Sequence, residues 1–97
     1  MNRVALVTGG TRGIGLGIAK ALAADGFDLA LCGVREEGEV VPVLAELGAS
    51  GATARYFRAD IGERGDRLRL LSEVREGFGR LHVLVNNAGV APQARVD

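Results

Sequence analysis

Apolar positions along this chain switch between two spacings. Residues 4–7 (Val-Ala-Leu-Val) form an unbroken apolar run that stops at Thr8-Gly9, the pattern of a short strand covered on both faces. From Gly13 the spacing turns helical: Ile14, Ile18, Ala21 and Leu22 share one face, and Asp25-Gly26 supplies the stop. Residues 27–32 (FDLALC) read as a second strand. Residues 36–47 return to helix, with Val40, Val41, Leu44 and Leu47 predicted to face inward and Gly48 ending the segment. Pro42 fits only a first turn, so the pattern predicts a start later than Glu36. A third strand over 52–59 carries Arg55 and Arg58 on opposite faces, which suits a sheet edge. Residues 63–78 predict a third helix with Leu68, Leu71, Val74 and Phe78 in one stripe. A fourth strand, 81–85 (LHVLV), ends at Asn86-Asn87.

Strand and helix therefore alternate as β-α-β-α-β-α-β, which predicts an α/β fold with a doubly wound parallel sheet and right-handed crossovers. A chain of 97 residues holds one domain at most. Its 12 basic and 12 acidic residues cancel, so it lacks the basic excess of a nucleic-acid binder while leaving room for one local anion site. Hydrophobic residues at 47% suffice for a core. The single cysteine, Cys32, excludes an intrachain disulfide framework and fits a reducing compartment. The apolar run after Arg3 is too short for a signal sequence or membrane span. A cytoplasmic location with no membrane, nucleic-acid or metal partner is expected.

The chemistry concentrates in "TGGTRGIG", residues 8–15. In an open parallel sheet, ligands bind at the carboxyl ends of the strands where the strand order reverses. Glycines let the backbone approach a ligand, and the unpaired N–H groups and dipole of the next helix favour an anion. A pyrophosphate suits such a turn; a tight strand-to-helix turn with no ligand is the alternative. No Gly-Lys-Ser/Thr follows, so this is not a phosphate loop.

The spacing of Gly9, Gly13 and Gly15 resembles the T-G-x-x-x-G-x-G signature of the short-chain dehydrogenase/reductase family, a Rossmann-type fold. The family's second signature, N-N-A-G, stands at Asn86, Asn87, Ala88 and Gly89. "TGGTRGIG" with "RADI" and "LVNNAG" looks most like its 3-oxoacyl-[acyl-carrier-protein] reductase branch. The resemblance implies that Gly9, Gly10, Thr11, Arg12, Gly13, Ile14 and Gly15 meet the cofactor's phosphates and adjacent ribose. It places Asp60 and Ile61 beside the adenine, and Asn87, Ala88 and Gly89 against the adenosine ribose. Asp60 also suits the N-cap of the third helix. Asn86 is expected to bridge neighbouring strands, and His82 to be a surface or edge histidine. Gly13→Ala is expected to weaken nucleotide binding with the fold intact, and Gly38→Ala to change little.

The second strand ends in Cys32-Gly33-Val34-Arg35, without the carboxylate that grips the ribose 2′-hydroxyl in NAD-selective sites. Arg12 and Arg35 instead suit a 2′-phosphate, so NADP(H) is favoured over NAD(H); the alternative makes both ordinary solvated charges. The family's catalytic Ser and Y-x-x-x-K find no match in Tyr56, Lys20, Ser50 or Ser72. The expectation is that residues 1–97 are the N-terminal, cofactor-binding part of a single domain, with an open apolar edge at the fourth strand. The resemblance implies an NADPH-dependent oxidoreductase that reduces a carbonyl or acyl-thioester substrate, in the manner of fatty acid biosynthesis, as a homotetramer when intact. A non-catalytic nucleotide-binding or interaction module is the alternative.

Overall fold

The first strand, β1 (Val4–Thr8), is buried at every position, and a strand so buried needs cover on both faces. The rest of the chain supplies that cover. In the structure, a computed structural model that describes residues 2–87, β1 is followed by α1 (Gly13–Ala24), β2 (Asp28–Gly33), α2 (Glu37–Gly48), β3 (Ala54–Arg58), α3 (Arg64–Phe78) and β4 (Val83–Val85). The four strands are parallel in the order β3-β2-β1-β4. The chain thus steps outward twice on one side of β1 and then crosses to the other, so the order reverses between β1 and β4. Among the described residues no helix is long and apolar enough to cross a membrane.

Two apolar layers sandwich the sheet. On one face Ala5, Val7, Leu29 and Leu31 pack with Ala19 and Ala23 of α1 and Leu47 of α2. On the other, Leu6, Ala30 and Cys32 meet Leu70 and Val74 of α3. The predicted elements are all present, yet three helical faces differ from expectation. In α1 the buried stripe is Gly15, Ala19 and Ala23, while Ile14 is 78% exposed and Ala21 is exposed. Small residues let this helix approach the sheet closely, which outweighs burial of the larger isoleucine. In α2, Val40 and Leu47 are buried and Val41 is exposed. In α3 the stripe runs Leu70, Val74, Phe78 at a spacing of four, leaving Leu68 and Leu71 in solvent.

Pro42 also departs from the sequence reading, since α2 starts at Glu37 and encloses it. The start is fixed by Glu39, whose carboxylate accepts the Glu36 N–H at 3.0 Å. Pro42 offers no N–H to the Gly38 carbonyl, but both residues are exposed, which leaves that group open to solvent. At the edges, β3 is shorter than 52–59 and does lie at the rim. Its Arg55 sits 5.7 Å over Phe57 and 5.8 Å over Phe78 and donates to the Gly77 carbonyl, so α3 leans on the rim through this side chain. The fourth strand begins at Val83 rather than Leu81 because His82 pairs with β1 through its ring. His82 N–H donates to the Val4 carbonyl at 2.9 Å, and its Nδ1 accepts the Val4 N–H at 3.0 Å. It is an edge histidine, as expected, that substitutes for a backbone acceptor. Leu84, in register with Leu6, is 57% exposed.

Cys32 is fully buried, and that burial pushes its thiol up to about 11, with a backbone hydrogen bond from Gly9 pulling the other way. The raised value means the neutral thiol stabilises the fold below the unfolded value of 9.0. That contribution falls by about 1.4 kcal/mol per pH unit as pH rises from there through the folded value. The folded protein is expected to resist a thiol-specific disulfide reagent at pH 8, reacting about a hundredfold slower than its urea-unfolded form, roughly the ratio of thiolate fractions. Equal rates would place Cys32 at the surface.

Candidate functional site

A cleft of about 380 Å³ opens at the carboxyl ends of the strands, bounded by Gly9, Thr11 and Arg12 on one side, Gly33 to Arg35 on another, and Ala59, Asp60, Ile61 and Asn87 beyond. Its position follows from the topology, because the loops after β1, β2 and β3 leave the sheet at the same end. The turn after β1 is anchored by Gly9, whose N–H donates to the Cys32 carbonyl at 2.9 Å. The helix it leads into has an unusual start. Arg12 occupies the N-cap with no side-chain cap bond, and the first turn holds no acidic residue. Helix starts ordinarily recruit Ser, Asp or Glu to satisfy the free N–H groups and the positive dipole end. Here no side chain caps those groups, an arrangement that suits an anion.

Two glycines stand where a side chain would strain or block the turn. Gly13 has φ +60, a left-handed conformation costly for any other residue, although nothing lies within 4 Å of a Cβ there. This corrects the expectation that alanine at this position leaves the fold unstrained: the residue opens α1 without helical dihedrals, so helix propensity does not apply. Gly15 has the opposite problem. A Cβ on it would overlap the Gly9 carbonyl oxygen and lie 2.8 Å from the Gly9 carbonyl carbon, with the Asn87 amide also in its way. The turn therefore folds back over α1 and touches the end of β4.

Of the predicted residues, Gly9, Thr11, Arg12, Arg35, Asp60, Ile61 and Asn87 line the cleft. Gly10 lies under the turn, where a Cβ would meet Leu31 and the Val7 carbonyl. Gly13, Ile14 and Gly15 belong to the start of α1 outside the lining, and Ala88 and Gly89 fall outside the described residues. The cleft adds Cys32, Gly33, Val34 and Ala59, recognisable in the sequence only as strand ends. The two arginines behave differently. The Arg12 guanidinium has no partner among the described residues, whereas Arg35 donates to the Thr11 carbonyl at 3.3 Å, its hydroxyl at 3.4 Å, and the Glu39 carbonyl at 3.2 Å. Arg35 thereby ties the glycine turn to the start of α2.

Asp60 is not the N-cap of α3, a position Glu63 holds. Its carboxylate instead accepts the Gly62 N–H at 2.9 Å, an Asx turn. Its own N–H donates to Asp66 at 2.8 Å, a bond that holds the Asp66 carboxyl below its usual value, with Arg69 adding to the effect. Thr8 carries a role that sequence reading missed. Its hydroxyl lies 3.3 Å from the Val85 carbonyl and 3.4 Å from Asn86 Oδ1, and accepts the Asn87 N–H at 2.8 Å. Asn86 does bridge strands, as expected, and Thr8 is the other end of the bridge. A threonine closing a fully apolar strand was the available signal.

Among the described residues no catalytic group assembles in the cleft. Tyr56 donates its hydroxyl to the Arg35 carbonyl at 2.7 Å, Lys20 pairs with Glu46 at 2.8 Å, and Ser50 bonds the Leu47 carbonyl. These groups are committed elsewhere, and the cleft lining includes none of them.

The sequence profile of the short chain dehydrogenase family matches residues 3–97. The chain is 38% identical over 92 residues to L-2,3-butanediol dehydrogenase of Corynebacterium glutamicum, covering 94% of this chain and 36% of that protein. It is 39% identical over 92 residues to a 3-oxoacyl-[acyl-carrier-protein] reductase of Staphylococcus aureus, covering 93% of this chain and 37% of that protein. A crystal structure of 3-oxoacyl-[acyl-carrier protein] reductase from Brucella melitensis in complex with NAD superposes with a TM-score of 0.87 at 42% identity, covering 98% of this chain and 36% of that one. The chain spans about a third of the length of the relatives it matches.

Proposed function

The chain belongs to the short-chain dehydrogenase family, and from that premise we propose that it is the cofactor-binding part of an NADPH-dependent reductase. The reaction is reduction of a carbonyl to a hydroxyl, with 3-oxoacyl thioesters as the favoured substrate class. The observation that carries the reading is the uncapped N-terminus of α1 beside the cleft. Its free N–H groups suit the pyrophosphate of a dinucleotide, and the residues around it fit the remaining parts. Arg12 and Arg35 supply charge for a 2′-phosphate, Asp60 an acceptor for the adenine amino group, and Asn87 a polar group for the adenosine ribose. Ala88 and Gly89 complete the ribose side in this reading. Bound reduced nicotinamide supplies the hydride.

This chain's residues bind and orient. The proton donor and the group that holds the carbonyl belong to segments outside residues 1–97, since Tyr56 and Lys20 are engaged in structural bonds. The kinship with 3-oxoacyl reductases supports the substrate class, and the same reading takes the intact protein as a homo-oligomer.

The test follows nucleotide absorbance with the intact protein and a short 3-oxoacyl thioester. Turnover is expected with NADPH, at a kcat/KM more than about tenfold above that with NADH, or about 1.4 kcal/mol of discrimination. NADPH binding without turnover of any carbonyl substrate would favour a non-catalytic nucleotide-binding module. No NADPH binding at all would sink the reading of the cleft.

A further inference from the structure

The loop that carries Arg35 is held at three successive residues, in each case from β3. Arg58 Nε donates to the Val34 carbonyl at 3.2 Å. The Tyr56 hydroxyl donates to the Arg35 carbonyl at 2.7 Å. Arg58 Nη1 pairs with the Glu36 carboxylate at 3.2 Å. Strand alternation puts Tyr56 and Arg58 on one face, and the parallel register sets them beside Leu31 and Gly33, so both reach the chain as it leaves β2. Gly33 lies beside the Tyr56 hydroxyl, at what would be ordinary contact distance (3.6 Å) for a Cβ there.

We propose that Tyr56 and Arg58 are positioning residues for cofactor selectivity, holding the loop after β2 so that Arg35 faces the glycine turn and Glu36 stays on Arg58. The Arg35 backbone is gripped from β3 while its guanidinium reaches Thr11 across the cleft. A guanidinium preset in this way loses less side-chain freedom when it meets a phosphate. Glu36 is the nearest sequence neighbour able to repel that phosphate, and its pairing with Arg58 offsets the charge. The pair is solvent-exposed, at 57% and 70% of the two side chains, and such pairs contribute little by themselves. The larger part therefore falls to the short Tyr56 bond, which lies in a half-buried setting.

The inference rests on Arg35 acting as a 2′-phosphate ligand, and the experiment separates the two ideas. Dissociation constants for NADPH and NADH are measured by nucleotide fluorescence on the intact protein and on Tyr56→Phe, Arg58→Met, Arg35→Ala and Tyr56→Phe/Arg35→Ala. Tyr56→Phe keeps the ring and removes the bond; a melting curve confirms that it folds, and Arg58→Met probes the same loop independently. Tyr56→Phe is expected to weaken NADPH about fivefold, the scale of one lost hydrogen bond, while NADH changes less than about twofold. Arg58→Met should move the ratio the same way by a smaller factor. In the Arg35→Ala background, Tyr56→Phe should leave the NADPH/NADH ratio unmoved. Equal weakening of both nucleotides, or no change in either, would overturn the positioning role while Arg35→Ala still collapses the ratio. A ratio unaffected by Arg35→Ala would overturn both ideas together.

Discussion

Gly15→Ala is expected to abolish useful dinucleotide binding and to lower the melting temperature, making it the most damaging methyl group the turn can receive. The added Cβ overlaps the carbonyl oxygen of Gly9 and crowds the Asn87 amide. A backbone carbonyl cannot rotate aside as a flexible side chain can. The turn must therefore lift, which also disturbs the Gly9 N–H bond to the Cys32 carbonyl. Overpacking of this kind costs about 1–3 kcal/mol, occasionally more. Displaced amides would lose charge-assisted bonds to a phosphate worth about 1.5–3 kcal/mol each, so two lost bonds correspond to roughly a hundredfold or more in affinity.

Two companion variants make the result interpretable. Gly13→Ala meets no atom within 4 Å but must adopt φ +60, a strain of about 1–2 kcal/mol. It should fall between Gly15→Ala and the parent in both melting temperature and NADPH affinity. Gly38→Ala has open space around it and an ordinary helical setting, so it should bind like the parent and gain up to about 1 kcal/mol of stability. The order Gly15 worst, Gly13 intermediate, Gly38 neutral checks the geometry by calorimetry and nucleotide titration. A Gly15→Ala protein that melts and binds like the parent would refute the close approach of the turn to α1.

Element order and the parallel sheet followed from period changes and stop signals, because both are local properties of the chain. Which helical face is buried is not local. In α1 the sequence offered Ile14 and Ile18 as anchors, yet Gly15, Ala19 and Ala23 took the sheet since close packing rewarded small residues. In α3, stripes through Leu68 and Leu70 are equally apolar, and only the sheet's position selected Leu70 and Val74. The site divided in the same way. The glycine turn and Asn87 were readable as motif, and Arg35 as a charge at a strand end. The clamp by Tyr56 and Arg58 was not, because it joins positions about twenty residues apart whose approach depends on the β2–β3 register.

The second large effect concerns charge at the cleft. Replacing both Arg12 and Arg35 with alanine is expected to weaken NADPH binding about a hundredfold in the intact protein and NADH binding by less than about fivefold. Each charge-assisted contact to a phosphate contributes on the order of 1.5–3 kcal/mol before screening. Arg12 is exposed and Arg35 half-buried, so solvent discounts the sum toward its lower end; about 2.8 kcal/mol then gives the hundredfold ratio. The two single variants should differ in kind. Arg12 has no partner among the described residues, so Arg12→Ala removes only charge and should leave NADH affinity at the parental value. Arg35 also bonds Thr11 and Glu39, so Arg35→Ala loosens the glycine turn and should carry whatever loss NADH shows. Raising the ionic strength should narrow the parent's NADPH preference and leave the double variant nearly insensitive, because screening acts on the charge that has been removed. A double variant that keeps the parent's NADPH/NADH ratio would show that neither arginine meets the 2′-phosphate. The cofactor preference would then have to be sought outside this cleft.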